Sequence, residues 1–179
     1  MNIQTERLQL RMQTPEDAGA LLRILSDAEF RTYLPMKQPP TLEQVEAGLG
    51  RILAHWAERG HGQLILSPKN SREVLGYCGL RFLAETGEVE VYYGIDKPYW
   101  GRGLVTEAAK ATLRFGFEQA GLERIIALAN PENKATQRVM QKAGLRYERQ
   151  GTYFDMECAV YALDREEYKP DNSLYILSR

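Results

Sequence analysis

Residues 99–107 read Y-W-G-R-G-L-V-T-E, and they stand between a strand-like segment, residues 89–95, and a helix-like segment, residues 104–119. The glycines at positions 101 and 103 allow a tight turn and leave no side chain between the backbone and a ligand. The helix that follows presents unpaired N–H groups and the positive end of its dipole. Together these features predict an anion site that suits a phosphate or pyrophosphate group.

The composition is typical of a globular protein and argues against several functional classes. The chain has 179 residues, of which 44% are hydrophobic and 26% are charged, so we expect a single domain over residues 1–179. A net charge of −1 argues against a broad basic face for nucleic acid, and no apolar run is long enough to cross a membrane. The first residues do not resemble a signal peptide, and Cys78 and Cys158 lie far apart. We therefore expect a cytoplasmic protein with buried thiols.

The order of the predicted elements indicates an α+β fold. Strands are predicted over residues 5–12, 63–67, 74–83, 89–95, 124–129, 145–149 and 152–163. Helices are predicted from about residue 14 and over residues 41–58, 104–119 and 133–142. Hairpins followed by a strand-helix-strand-helix unit indicate a mixed, mostly antiparallel central sheet that is flanked by helices.

Two familiar nucleotide-binding motifs are missing. The chain has no G-x-x-x-x-G-K-[ST], and the glycine turn is only G-x-G-x-x-T, without the third glycine of a dinucleotide-binding fold. The strand before the turn also comes from an antiparallel hairpin. We therefore expect neither a triphosphate loop nor a nicotinamide site. The positive charge inside the turn comes from Arg102, for which we favour contact with the ligand.

A second informative segment, residues 130–145, reads N-P-E-N-K-A-T-Q-R-V-M-Q-K-A-G-L. Asn133 alone is most simply a helix cap, although its amide could also bind an amide-containing ligand. With residues 99–108, this segment resembles the GNAT acetyltransferase superfamily and is most similar to its RimJ/RimL-like branch. The opening T-E-R-L-x-L-R, the P-E-D-A helix start and the late V-Y-A-L-D-R-E-E-Y match the same branch. The resemblance thus covers almost the whole chain.

The resemblance implies a GNAT-like fold, acetyl-CoA as the cofactor and acetyl transfer to a primary amine. It places the pyrophosphate on backbone N–H groups of the glycine turn and the pantetheine amides along the strand before the turn. It also places Asn133 at the pantetheine arm and Arg138 at the phosphate-bearing end. The implied cofactor-binding residues are Tyr93, Gly94, Ile95, Gly101, Arg102, Gly103, Leu104, Thr106, Asn133 and Arg138.

Two positions depart from the superfamily pattern. Pro98 stands at the first position of the Q/R-x-x-G-x-G/A signature. The tyrosine that many members use to protonate the leaving thiolate falls at Met140, which has no proton to donate. A water molecule or a nearby hydroxyl group must then serve if a general acid is needed.

The chemistry points to a carboxylate base. Attack on a thioester requires a neutral amine, so a carboxylate acting through water is a suitable proton acceptor. Strand alternation puts Glu88, Glu90 and Tyr92 on one face of the strand that leads to the cofactor site. Glu90 is the first candidate for the catalytic base and Glu88 the second. The alternative is that both are solvated hairpin residues.

We therefore predict an N-acetyltransferase in which the amine attacks directly, with no metal and no covalent enzyme intermediate. Residues 31–40 and 149–154 should flank the acetyl end, with Tyr33, Tyr153, Phe154 and Asp155 as candidate acceptor contacts. A peptide or protein N-terminal amine is favoured as the acceptor over an amino acid, a polyamine or an aminoglycoside. The rival class is a non-catalytic acyl-CoA-binding sensor. Either a monomer or a homodimer fits the sequence, and no nucleic-acid or membrane partner is expected.

Overall fold

The computed structural model describes residues 1–178, and a nine-stranded sheet forms its centre. The strands are β1 (Asn2–Gln4), β2 (Leu8–Arg11), β3 (Gln63–Pro68), β4 (Gly76–Leu83), β5 (Glu88–Ile95), β6 (Arg124–Ala129), β7 (Arg146–Tyr153), β8 (Met156–Asp164) and β9 (Ile176–Ser178). The helices are α1 (Ala18–Ser26), α2 (Ala28–Arg31), α3 (Leu42–Arg59), α4 (Leu104–Glu118) and α5 (Lys134–Ala143). This arrangement confirms the predicted α+β class.

The strands follow the spatial order β7-β8-β6-β5-β4-β3-β2-β1-β9. Neighbouring strands are antiparallel except β5 and β6, which run parallel. Within residues 1–178, β5 and β6 share a single aligned pair, Glu90 with Ile126. The two strands therefore separate after Glu90. On the side that faces β6, the backbone of residues 91–95 is left without a strand partner.

The hydrophobic core lies on both faces of the sheet. On one face, α4 buries Ala108, Leu113 and other side chains against β2, β4, β5 and β6. On the other face, α1 and α3 pack against Ile65 and Val74. Because both faces of β3 are covered, its run L-I-L is apolar throughout instead of alternating.

The hairpin between β7 and β8 corrects one prediction. The sequence places strand ends at residues 149 and 152, but β7 continues to Tyr153 and the turn lies at Phe154 and Asp155. Both turn residues have positive φ angles, 52° and 58°, a conformation that usually requires glycine or asparagine. Gly151, which looks like the turn residue, instead pairs with Cys158 inside the sheet. The sequence therefore carries a misleading turn signal at this position.

Three short elements were missed by the prediction: β1, α2 and β9, of three or four residues each. Elements of this length show no readable periodicity. Strand β1 exists because it pairs with both β2 and β9, so its cause is tertiary. The opening strand, predicted over residues 5–12, corresponds to β2 alone, which covers only Leu8–Arg11. None of the helices in residues 1–178 combines the length and the apolar character needed to span a bilayer.

Candidate active site

The glycine turn has the geometry that its sequence predicts. Gly101 and Gly103 adopt left-handed φ angles of 72° and 75°, and Gly103 is the residue that precedes the first turn of α4. Within residues 1–178 no side chain caps this helix, and residues 101–103 are exposed. The first N–H groups of α4 are therefore open to an anionic ligand.

A partly buried hydrogen-bond network holds this turn from the segment between β1 and β2. The Arg7 guanidinium donates to the backbone oxygen of Arg102 at 2.8 Å and to Glu107 at 2.7 Å. The Thr5 hydroxyl donates to the same Glu107 carboxylate at 2.6 Å. Burial alone would raise the pKa of Glu107, but hydrogen bonds from Thr5 and Arg7 outweigh it and lower that pKa. The sequence alone does not reveal this network, because nothing in the spacing links residue 107 to residues 5 and 7.

A cavity of about 930 Å³ opens where β5 and β6 separate. One part of its wall belongs to the cofactor side predicted from the sequence and consists of Val91, Tyr92, Tyr93, Leu128, Ala129, Asn130, Asn133, Thr136 and Met140. The other part belongs to α1, α3, residues 33–41 and the turn between β7 and β8. The cavity thus joins the gap in the sheet to a second chamber beside it.

Side chains of α5 complete the cofactor side. The Asn133 carbonyl accepts from the Thr136 backbone N–H at 3.1 Å, so this residue both caps α5 and lines the cavity. The Thr136 hydroxyl donates to the Tyr93 hydroxyl at 2.9 Å, and burial raises the pKa of Tyr93. Met140 is 2% exposed and also lines the cavity. Sequence reasoning considered the backbone of Tyr93 and missed the position of its side chain.

Glu90 lies in the cavity wall, is 4% exposed and is paired with Arg81. One carboxylate oxygen, Oε2, accepts both hydrogen bonds from Arg81, at 2.5 Å from Nη2 and 3.0 Å from Nε. Burial raises the pKa of Glu90, although the Arg81 charge opposes the rise. The Arg81 guanidinium carbon also lies over the rings of Tyr92 and Phe154, at 4.6 and 4.7 Å from their centroids. Arg81 was not singled out from the sequence, since an arginine on a strand carries no local signal.

Glu88 occupies a different environment. Its carboxylate accepts from the Tyr153 hydroxyl at 2.6 Å and from Arg149 at 3.2 Å. Neither Glu88 nor Tyr153 belongs to the cavity wall, whereas Tyr33 and Phe154 do. Asp155 follows Phe154 in the turn and lies outside this wall. Glu90, Tyr33 and Phe154 therefore line the same cavity, whereas Glu88 and Tyr153 bind each other outside its wall.

The remaining predicted cofactor residues are distributed along the path to the glycine turn. A Cβ atom at Gly94 would come within 2.5 Å of the Phe30 ring, so a larger residue there would have to displace that ring. Gly103 and Thr106 line a second cavity of about 440 Å³ beside α4. The Arg102 guanidinium lies 5.4 Å from the centroid of the Tyr99 ring. Leu104 and Ile95 are buried, whereas Arg138 is exposed and outside both cavities.

Comparison with known families supports the same assignment. Residues 7–146 match the family model of the acetyltransferase (GNAT) domain. The chain belongs to the GNAT acetyltransferase family. Among GNAT relatives, it is 29% identical over 173 residues to the uncharacterized N-acetyltransferase p20 of Bacillus licheniformis, covering 92% of this chain and 96% of the relative. It is 30% identical over 172 residues to the protein YkkB of Bacillus subtilis, covering 92% and 95%.

Solved GNAT structures share this fold. A GNAT-family acetyltransferase from Bacillus anthracis superposes with a TM-score of 0.79 at 26% identity, over 93% of this chain and 99% of the other. RimL, a ribosomal alpha-N-protein acetyltransferase solved with coenzyme A, gives a TM-score of 0.79 at 15% identity, over 92% and 98%. The aminoglycoside acetyltransferase AAC(6')-Ib, also solved with coenzyme A, gives 0.74 at 19% identity, over 89% and 96%. The last two likenesses concern the fold alone.

Proposed function

We propose that this GNAT protein, as a single domain over residues 1–179 in the cytoplasm, transfers an acetyl group from acetyl-CoA to a primary amine. The observation that carries the proposal is the gap between β5 and β6, which leads from the open helix start of α4 into the large cavity. The free backbone of residues 91–95 suits the pantetheine amides, and the N–H groups of residues 101–104 suit the pyrophosphate. Thr106 and Asn133 support the same path, and we keep Arg138 only as a contact for the phosphate-bearing end.

Acetyl-CoA supplies the thioester whose carbonyl carbon the amine attacks. We propose that Glu90 removes the amine proton, directly or through one water molecule. Both hydrogen bonds from Arg81 fall on Oε2, so the other carboxylate oxygen remains available for a substrate proton. The raised pKa of Glu90 brings it closer to that of an amine, which favours proton transfer near neutral pH.

Protonation of the leaving thiolate requires another group. Met140 lies in the cavity wall and has no proton to give. The Tyr93 hydroxyl is close by in the same wall, but burial raises its pKa and makes it a weaker proton donor. We therefore assign this proton to water, which enters through the gap in the sheet.

For the acceptor, we propose a peptide N-terminal amine within a RimJ/RimL-like branch of the family. RimL acts on the alpha-amine of a ribosomal protein and AAC(6')-Ib is an aminoglycoside acetyltransferase, so the fold accommodates both kinds of amine. The chamber beside α1 and α3 is large enough to receive the end of a peptide. The rival function is a sensor that binds acyl-CoA without turnover. Met140 favours it, because this side chain cannot protonate the leaving thiolate.

The test is thiol release from acetyl-CoA in the presence of short peptides, amino acids, polyamines and aminoglycosides. Release above the hydrolysis background with any class supports the transferase and names its acceptor. Tight cofactor binding without release, lost in Gly103→Glu, would favour the sensor. The substitution places a bulky acid at a left-handed position in the proposed phosphate site, so it should abolish cofactor binding whether the protein is a transferase or a sensor.

A further inference from the structure

We propose that the acceptor carries a carboxylate close to its amine, together with an apolar body, and that Arg81 binds this carboxylate. The inference rests on the proposed transferase function, since it names the class of amine that enters the same cavity. It is carried by the arrangement of Arg81, by the charges of the cavity wall and by the turn that bears Phe154.

Arg81 is held by three neighbours. Its guanidinium carbon lies over the rings of Tyr92 and Phe154, at 4.6 and 4.7 Å from the centroids, and Nε and Nη2 both donate to Glu90. Its side chain nevertheless stays 38% exposed and belongs to the cavity wall. Within residues 1–178, the second terminal nitrogen, Nη1, donates to no side chain. A planar donor fixed in this way suits a carboxylate ligand.

The charges of the wall favour an anion over a polycation. Among the described residues that line this cavity, the charged ones are Arg51, Arg81 and Glu90. Glu90 is buried and already paired with Arg81, so the remaining net charge is positive. A polyamine or an aminoglycoside carries several positive charges and would find no free carboxylate here.

Proton transfer strengthens the same argument. When Glu90 accepts the amine proton, it becomes neutral and Arg81 loses its counter-ion. A carboxylate on the acceptor restores the balance of charge at that step. The amine nitrogen then bonds to the acetyl carbon, the carbon–sulfur bond breaks, and the thiolate leaves with its electron pair.

The Phe154 turn is an unusual structure at this place. An aromatic residue with a φ of 52° is a costly conformation, and it recurs where function requires it. Here it carries a ring that is 42% exposed over the face of Arg81. The turn therefore places an aromatic ring against the guanidinium in the cavity wall.

Apolar side chains make up most of the rest of the chamber, which describes the remainder of the acceptor. The wall from α1, α3 and the loop between α2 and α3 includes Leu25, Leu34, Met36, Val45, Leu49 and Ile52. These side chains suit an aliphatic or aromatic group, whereas a sugar ring would lose its hydration there. An amine with both a carboxylate and an apolar body fits both parts of the cavity.

The experiment compares matched acceptors that differ in one charge. Phenylalanine is paired with phenylalaninamide, and aspartyl-phenylalaninamide with asparaginyl-phenylalaninamide. For each pair the ratio of kcat/KM values, acid over amide, is measured with the wild-type protein and with Arg81→Gln. We expect the ratio to fall about tenfold in the variant, because a charge-assisted hydrogen bond to the substrate is lost. Comparing the ratios of the two proteins removes the contribution of the amines' own pKa values, which is the same in both. A response of the phenylalanine pair indicates a free amino acid as the acceptor, and a response of the aspartyl pair indicates a peptide with an acidic N-terminal residue.

Arg59→Gln is the matched control. Arg59 makes the same kind of contact, with the Phe82 ring at 4.0 Å, but lies outside the cavity wall. Its acid-over-amide ratio should equal that of the wild type. A purely structural role of Arg81 would lower kcat/KM equally for both members of a pair, and that result overturns the proposal. Faster turnover of spermidine or kanamycin than of every carboxylated acceptor overturns it as well.

A binding measurement keeps the two proposals separate. N-acetylphenylalanine and its amide are titrated into the wild-type protein loaded with coenzyme A. Binding that requires the carboxylate supports the Arg81 site even if no amine is turned over, in which case the transferase function fails alone. Equal binding of the two compounds contradicts the Arg81 site while leaving the transferase function intact.

Discussion

Glu88 and Glu90 stand two residues apart on the same strand, yet their surroundings differ. Glu88 is held by Tyr153 and Arg149 from β7, outside the large cavity. Glu90 is enclosed in the cavity wall and is approached by a single arginine, Arg81. Strand alternation correctly predicts that both carboxylates share a face. Only the tertiary structure distinguishes them, because the neighbours of each come from distant parts of the chain.

At this scale we predict that Glu90→Gln lowers kcat/KM by about 10²–10³-fold, as expected for loss of a general base. The isosteric amide keeps the size of the side chain and cannot accept the proton. Wild-type activity should fall as pH decreases through the pKa of Glu90, which burial raises above its usual value. The variant should lose this acidic limb. The measurement is kcat/KM for one acceptor across pH.

Glu88→Gln tests the second candidate under the same conditions. If Glu90 is the base, the acidic limb persists in Glu88→Gln and is absent in Glu90→Gln. The reverse pattern would assign the base to Glu88, and persistence of the limb in both variants would contradict a carboxylate base on β5.

At the scale of elements, the glycine turn is held by hydrogen bonds from residues outside it. Thr5 and Arg7, on the segment between β1 and β2, bind Glu107 in the first turn of α4, and Arg7 also holds the Arg102 carbonyl. The Glu107 side chain is 13% exposed and that of Arg7 is 50% exposed, so the network is partly buried. This hydrogen-bond network orients the first N–H groups of α4.

We predict that Glu107→Gln weakens coenzyme A binding several-fold and lowers the free energy of unfolding by about 1–3 kcal/mol, because a partly buried charge-assisted network is broken. Calorimetric titration and urea unfolding give the two quantities. Glu118→Gln is the matched control on the same helix, where the exposed pair with Arg114 should contribute no more than about 0.5 kcal/mol. Equal effects of the two substitutions would mean that Glu107 has no special role in holding the turn.

The same scale explains how far the sequence could be interpreted. Helix α3, from its cap at Thr41 to the left-handed Gly60, follows local signals and was predicted almost to its ends. The glycine turn was likewise predicted, because glycine freedom and helix polarity are local properties. Three features could not be predicted, because each depends on contacts between segments far apart in sequence. They are the gap between β5 and β6, the contacts that surround the Arg81 guanidinium and the turn at Phe154.

At the scale of the whole molecule, the half-buried His55 and the buried His61 connect α3 with the start of β3 and with β4. His61 is 4% exposed, and its backbone oxygen accepts from the His55 ring at 2.8 Å. The other ring nitrogen of His55 accepts from the Phe82 backbone N–H at 3.1 Å. The two rings lie 5.2 Å apart, edge to face. The two histidines therefore join the helix layer to the sheet. We expect the free energy of unfolding to depend on pH through the buried one, His61.

The sign of this sensitivity follows from the pKa of His61, which burial and then the neighbouring His55 lower to about 4. In the unfolded chain a histidine takes up its proton near pH 6.5, whereas His61 in the folded protein stays neutral until about pH 4. The unfolded state thus binds more protons between these values, and stability is lost as pH falls through this window. From pH 7 to pH 5 we expect the free energy of unfolding to decrease by about 2 kcal/mol from this residue.

Urea unfolding of the wild type and of His61→Gln, each at pH 7 and pH 5, measures this contribution as a difference of differences. The raised pKa of Glu90 has an effect of opposite sign on the pH dependence of stability, and this effect cancels because both proteins contain Glu90. Glu107 and Asp17, whose pKa values are lowered, lose their stabilising charge only at more acidic pH. The variant should therefore lose about 2 kcal/mol less than the wild type on acidification, whatever its stability at pH 7. An identical pH dependence in the two proteins would show that His61 becomes protonated as readily in the folded state as in the unfolded chain.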